Sequence, residues 1–394
     1  MEYNPFLPDV RENPYPYYAY LRNHAPVYQV PNIGFWAVSR YEDVLSVLRN
    51  PQIFSSASFF AALTGDLNPF APEAPAIISM DPPSHTRLRK LVNRAFTPRR
   101  IAGLETHLRA VVQHLLGQME KEGTCDLVRD LAIPLPVIAI AELLGVPPER
   151  RLDFRRWTDA IVIAANGAVG TTPEEREEIQ QTFREFRAYF QAAITSYRQE
   201  PKDNLLSDLV RAEEEKQTLT AEEILSLAVI VLLGGSETTT NLISSAVVAL
   251  LNHPEQMAMV RANHALVPNV LEETLRYEAP IQWFPRQAMQ EVQIAGTTVP
   301  AGSMLMAMYG SANHDERKFP EPDRFDIMRN LEGHLTFGFG IHFCLGSQLA
   351  RLEARVALEG FLGRFVHIAR KDERITWIDS ILARGPKTLP LMLG

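Results

Sequence analysis

Apolar residues recur at helical spacing through the middle of the chain and alternate only in short stretches nearer its ends. The first alternation, Val27–Val30 and Phe35–Val38 around Pro31-Asn32-Ile33-Gly34, predicts a hairpin. Glu42–Leu48 has a helical pattern, and helices are predicted to dominate from residue 84 to 278. Two sequences start helices with a capping box, Thr172-Pro173-Glu174-Glu175 and Thr220-Ala221-Glu222-Glu223. The first helix runs to about Arg198. The second runs to about Asn252, roughly 32 residues or about 48 Å at the helical rise. A helix that long and apolar must cross the middle of the protein. A second β zone covers Val292–Ala295, Thr297–Val299 and Ser303–Met308, and weak alternation from Ile375 to Leu393 predicts further strand. The expectation is therefore a mainly α protein with small β-sheets (α+β), one domain over 1–394 with β-rich zones near 26–40, 292–308 and 375–393.

Residues 51–80 break this regularity. Pro51, Pro69, Pro72 and Pro75 punctuate a stretch that carries Phe59, Phe60, Leu63 and Phe70. An aromatic loop of this length is either a lid over a site or a locally packed Ω-loop.

Composition narrows the class. The 39 basic and 47 acidic residues give a formal charge of −8, which argues against nucleic acid as the main partner. Two cysteines exclude a disulfide framework and suit a reducing cytosol, with Cys125 the sole disulfide partner open to Cys344. Residues 1–25 are polar and proline-broken, unlike a signal peptide, so a cytoplasmic protein is expected. Glu237 sits inside the oily Ile224–Leu251 stretch, where a carboxylate in lipid would cost several kcal/mol, so no membrane span is expected.

The centre of the long helix is locally odd: Leu233-Gly234-Gly235-Ser236-Glu237-Thr238-Thr239-Thr240. Adjacent glycines cost about 1–2 kcal/mol relative to alanine, and threonines add crowding at χ1. Close helix packing through glycine is one reading. The other is a functional break, where Thr238 bonds back to the Gly234 carbonyl and Glu237 offers a proton beside the opening.

A glycine-rich loop, Phe337-Gly338-Phe339-Gly340-Ile341-His342-Phe343-Cys344-Leu345-Gly346, precedes an amphipathic helix. Free N–H groups and the positive end of that helix favour thiolate over thiol, and a lone thiolate suits an axial haem ligand. Glu273 and Arg276 share a helix face and form either a plain surface pair or something more. Pro320–Phe325 places Arg324 in a stiff loop. His85 and Arg89 also share a face, as a solvated surface or as a cation pair. Residues 81–100 hold six basic residues and one acid, Asp81, either an exposed face or a docking patch for an acidic protein.

Together these segments resemble the cytochrome P450 superfamily in its soluble bacterial form, over essentially the whole chain. Phe337-x-x-Gly340-x-His342-x-Cys344-x-Gly346 is similar to the family's ligand loop, with Cys344 at the iron-ligand position. Glu273-x-x-Arg276 matches its Glu-x-x-Arg pair, Arg324 the third member of that triad, and Gly234–Thr239 the oxygen-activation motif.

The resemblance implies the P450 fold, with the long helix crossing a buried haem b (iron protoporphyrin IX). It implies that His85, Arg89, Arg286 and His342 hold the propionates. Gly234 and Gly346 are expected to lie against the cofactor, and Glu273, Arg276 and Arg324 to brace the ligand loop. Glu237 and Thr238 would relay protons in an O2-dependent monooxygenase. Ile230 and Leu233 from the long helix would line the substrate pocket with Phe59, Phe60 and Phe70. Trp283, Phe284, Ile381 and Leu382 complete it by analogy. An apolar lining implies a hydrophobic small-molecule substrate. With no fused reductase, a ferredoxin or flavodoxin-type donor would dock on the Cys344 side, where the basic 81–100 segment is expected, and the protein would act as a monomer. Alternatives are a peroxide-driven peroxygenase or a non-catalytic haem-binding sensor.

Overall fold

Threonine caps fix the start of the two longest helices in the computed structural model. The Thr172 hydroxyl accepts from the Glu175 amide at 3.2 Å, and the Glu175 carboxylate accepts from the Thr172 amide at 2.7 Å. Thr220 and Glu223 repeat the arrangement at 3.1 and 2.9 Å. Each box satisfies N–H groups that the first helical turn leaves without partners.

Residues 1–58, 67–68, 70, 74–165, 171–214, 217–330 and 332–394 are described. Helices that position the site are, in chain order, α1 (Tyr41–Arg49), α2 (Ser84–Ala95), α3 (Glu105–Glu122), α4 (Pro134–Leu143), α5 (Arg151–Ala165), α6 (Pro173–Gln199), α7 (Ala221–Asn252), α8 (Val267–Tyr277) and α9 (Ser347–Arg364). Besides the paired two-residue strands Glu213–Glu214 and Gln217–Thr218, the strands are β1 (Val27–Gln29), β2 (Trp36–Val38), β3 (Phe54–Ser55), β4 (Thr124–Asp126), β5 (Phe284–Ala288), β6 (Val292–Ile294), β7 (Thr297–Val299), β8 (Met304–Ala307), β9 (Ile368–Arg370) and β10 (Pro390–Leu393). Two compact units result, one from 1–55, 105–135 and 238–394, the other from 56–104 and 136–237.

The first unit holds a sheet of order β1-β2-β8-β5-β3, in which β2 and β8 run parallel and the other pairs antiparallel. Its core gathers Val38, Val44, Leu48, Phe54, Leu305, Phe319 and Leu335. A smaller sheet, β9-β10-β4, joins the C-terminus to the end of α3. Helix α9 packs along α3 and α8. The second unit packs α5 on α6 around Phe154, Trp157, Phe186 and Phe190, all fully buried.

Three expectations change. Helix α7 spans 32 residues without interruption, so the expected break at Gly234–Thr240 is absent from its helical path. Packing explains one glycine: a Cβ at Gly235 would lie 2.6 Å from Ile140 Cδ1 of α4. The β zones were also incomplete, because β3, β4, β5 and β9 are too short or too poorly alternating to read. The C-terminal zone forms strand only at Pro390–Leu393, with isolated bridges at Ile281–Ala383 and Trp377–Pro386. Cys125 and Cys344 are both free thiols, in keeping with the expected lack of a disulfide framework. Phe59 and Phe60, with most of the expected lid, lie outside the described residues, whereas Phe70 is buried.

Among the described residues one helix, α7, is long and apolar enough to cross a membrane, but 61% of its most apolar window is buried inside the protein. That burial makes it a core helix.

Candidate active site

In the first unit the cysteine loop is shaped by its glycines. Gly338 and Gly340 have φ of +71° and +70°, a region that L side chains resist. A Cβ at Gly340 would also come within 3.1 Å of the Leu48 carbonyl. The loop closes through the Cys344 amide, which donates to the Phe337 carbonyl at 2.9 Å, and the Phe343 amide, which donates to Gly340 at 3.1 Å. Helix α9 starts at Ser347 with Gly346 as its cap, so Cys344 precedes the first helical residue by three positions. The thiol is half-buried. Cys125 differs: it is buried in β4, and desolvation, reinforced by Asp130 and Asp126, pushes its thiol up to about 12. Burial thus keeps Cys125 a thiol, which leaves Cys344 as the candidate ligand.

Beside the loop, α8 presents a wholly buried ion pair. Arg276 donates to both Glu273 oxygens at 2.7 and 2.8 Å, and to the carbonyls of Asn313, Pro322 and Arg324 at 3.0, 2.8 and 3.2 Å. Glu273 also accepts from the Asp326 amide at 2.9 Å. The second guanidinium on Glu273, the third member of the triad, belongs to Arg329, at 3.4 Å, and not to Arg324. The Arg324 side chain is 59% exposed and reaches only Glu321, at 3.5 Å. Arg324 contributes its carbonyl, because the turn at Glu321, with φ of +48°, sends its side chain to solvent. Arg329 caps the same turn through the carbonyls of Pro320, Glu321 and Arg324. Nothing in the local sequence separates the two arginines.

Arg286, on β5, is buried, donates to the Pro285 carbonyl at 2.8 Å and lies near the hydroxyl of buried Tyr309. Among the described residues it has no carboxylate partner. His342 ends a short 3-10 turn, Gly340–His342, and is half-buried. Phe284, Ile381 and Leu382 are partly exposed, as a lining requires. Trp283 departs from its expected role: it is 1% exposed, and its indole donates to the Ile381 carbonyl at 2.6 Å. It anchors the C-terminal segment from behind and offers no face to a ligand.

In the second unit, His85 is buried on α2, and burial, with Arg89 adding to it, lowers its pKa to about 4. Arg89 is half-buried and donates to Asn93 at 3.1 Å. Along α7, Ile230, Leu233, Gly234 and Glu237 stay partly exposed while Leu232 and Ser236 are buried. Thr238 continues that stripe on the part of α7 in the first unit. A Cβ at Gly234 would meet no atom within 4 Å.

A cytochrome P450 family model matches residues 168–391. The chain belongs to the cytochrome P450 family. It is 39% identical over 392 residues to cytochrome P450 monooxygenase PikC of Streptomyces venezuelae, covering 97% of this chain and 92% of that one. The structure of CYP109Q5 from Chondromyces apiculatus superposes with a TM-score of 0.93 at 42% identity, covering 100% of this chain and 98% of that chain. CYP109E1 from Bacillus megaterium, solved in complex with corticosterone, gives 0.88 at 34% identity over 98% and 99% of the two chains. This P450 is thus a haem-dependent monooxygenase that hydroxylates small molecules.

Its residues fit that cofactor. Arg286 is a buried cation with no carboxylate beside it among the described residues, and such a group requires an anion. Cys344 is the one thiol poised for ligation, and among the described residues no cluster of His, Cys, Asp and Glu forms a metal cage of its own. The sequence reading missed Tyr309, Arg329, Glu272 and Arg351. Of these, only the second acid of Glu272-Glu273 left a local signal.

Proposed function

We propose that this P450 inserts one oxygen atom from O2 into a hydrophobic small molecule, as a single domain in the cytoplasm, with electrons from a separate ferredoxin or flavodoxin-type protein. The observation that carries this reading is that one chain holds both the Cys344 loop and, on the partly exposed stripe of α7, an acid and an alcohol, Glu237 and Thr238. Haem held through a thiolate supplies oxygen activation. Cys344 would be its ligand, and His85, Arg89, Arg286 and His342 would hold its propionates. Gly346 caps α9 and Gly234 lacks a side chain, so backbone at both positions is open to the cofactor. Glu237 carries a proton inward and Thr238 holds it at its hydroxyl oxygen.

The stripe supports an apolar substrate, since Ile230 and Leu233 flank Gly234 on it. By the family resemblance, Phe284, Ile381 and Leu382, partly exposed in the first unit, would add to the lining. A steroid-sized substrate is consistent with the corticosterone complex of CYP109E1. On the donor side, Arg87 is tied to Glu223 and Arg100 to Asp208. Lys90, Arg94 and Arg99 are exposed in the 81–100 segment.

Turnover with NAD(P)H and surrogate redox partners is expected to exceed turnover with peroxide alone. Thr238→Ala is expected to raise the peroxide released per NAD(P)H by roughly tenfold or more, the scale of a lost general acid–base contribution. Equal coupling in parent and variant would remove Thr238 from the relay. Peroxide-driven turnover alone would indicate a peroxygenase.

A further inference from the structure

Helix α8 carries two adjacent acids, and the Glu273–Arg276 pair uses only one. Glu272 accepts from Arg351 of α9 at 2.5 and 2.9 Å, a two-point contact, and lies 3.0 Å from His334 Nε2. The Arg351 guanidinium lies over the Phe337 ring, 4.4 Å from its centre. Phe337 in turn accepts from the Cys344 amide at 2.9 Å. The contacts thus run from α8 through Arg351 to the residue that receives the Cys344 N–H.

The start of the loop is held separately. Thr336 donates to the Leu275 carbonyl at 2.5 Å, and the Leu335 amide donates to Asn313 at 2.7 Å. These bonds place the backbone of 335–336, but they do not fix the distance from Phe337 to α9. Arg351 does, since it is rooted in α9 and stacks on Phe337. Lysine could do neither the planar stack nor the two-point contact.

We propose that Glu272 and Arg351 form a second clamp, independent of Glu273–Arg276, that holds Phe337 against α9 and so positions the Cys344 sulfur. Both are positioning residues, and the proposal rests on Cys344 being the iron ligand. Burial raises the Glu272 carboxyl, but the bonds from Arg351 and His334 outweigh it and lower it to about 2. The clamp is therefore charged across the working pH range.

The test uses the haem-loaded protein with Arg351→Ala, Arg351→Lys, Glu272→Gln and the Arg351→Ala/Glu272→Gln double variant. Arg364→Ala is the control, because it removes an ion pair to Glu120 from the same helix at 2.7 Å. Two readouts besides activity are taken: the share of the reduced carbon monoxide complex in the red-shifted thiolate band, and the rate of haem transfer to apomyoglobin. Arg351→Ala is expected to lose part of that band and release haem about tenfold faster, as for other supports behind a metal ligand. Arg351→Lys should fall between it and the parent. The double variant should match the worse single change, since both remove one clamp.

Parent-like band and transfer rate in Arg351→Lys and Glu272→Gln would overturn the clamp, even if melting temperatures fell. So would an equal spectral change in Arg364→Ala. The ligand assignment is tested apart: if the parent lacks the red-shifted band, or Cys344→Ser keeps it, that assignment fails instead.

Discussion

Arg324 and Arg329 sit on one turn and do opposite things. Arg324 points to solvent, and its 3.5 Å contact with Glu321 is an exposed pair of little worth. Arg329 has a side chain only 10% exposed and shares the buried Glu273 carboxylate with Arg276. Removing Arg329 takes one of the two guanidiniums from the buried Glu273 carboxylate and the donor from the Pro320 carbonyl, a loss bounded by the about 3–5 kcal/mol of a fully broken buried pair, because Arg276 stays on Glu273. Arg324→Ala should stay within about 0.5 kcal/mol of the parent. Denaturant titration of the two variants checks this ordering, and a reversed order would put Arg324 back in the triad. The two cysteines divide in a similar way. Their residue type is the same, but burial beside Asp126 and Asp130 keeps Cys125 a thiol, while Cys344 is held on a half-exposed loop.

At the scale of elements, the glycine pair of α7 serves two purposes on one helix. Gly235 accommodates α4, since a Cβ there would meet Ile140 at 2.6 Å. Gly234 has no such neighbour and lies on the partly exposed stripe with Leu233 and Glu237. Gly234→Ala should therefore raise the stability of the apoprotein by about 0.5–1 kcal/mol through helix propensity. Gly235→Ala gains the same propensity but overpacks against α4, a penalty of about 1–3 kcal/mol, so its net effect is unfavourable. Thermal unfolding of the two apoproteins measures the difference. In the holoprotein the penalty should move to Gly234→Ala, read as weaker haem retention, if that face lies against the cofactor. The helix keeps its regular path although the Ser236 hydroxyl donates back to the Leu232 carbonyl at 2.8 Å, and the Thr240 hydroxyl donates outward to the Ala132 carbonyl at 2.9 Å. Odd composition here marks a face, and no break in the backbone is needed.

At the scale of the whole molecule, an acidic chain of net charge −8 concentrates cations in one segment. Lys90, Arg94 and Arg99 are exposed there, whereas Arg87 and Arg100 are held by acids of their own unit. Electron transfer from an acidic ferredoxin should fall several-fold as ionic strength rises through the range where the Debye length shrinks to about 10 Å. Lys90→Glu with Arg99→Glu should slow it by roughly tenfold and flatten the salt dependence, with an unchanged haem spectrum. Stopped-flow reduction measures both, and an unaltered salt slope would place the donor elsewhere.

Much of this was written in short-range patterns. Capping boxes, the 32-residue helix, the hairpins at 27–38 and 292–299 and the cysteine loop depend on neighbours a few positions apart, so residue order alone specifies them. The same holds for the type of chemistry, since a cysteine among glycines ahead of a helix is a local arrangement. The partners of those local pieces were not legible. Glu272 meets Arg351, Glu273 meets Arg329, and Arg286 meets Tyr309 only where distant segments are packed together. A two-residue strand such as Phe54–Ser55 likewise exists only because Ala288 and Gln287 lie opposite it. Sequence by itself determined which groups this protein brings to its chemistry. Tertiary structure decided which of two like residues is buried beside a charge, because desolvation and pairing depend on what the folded chain places around each side chain.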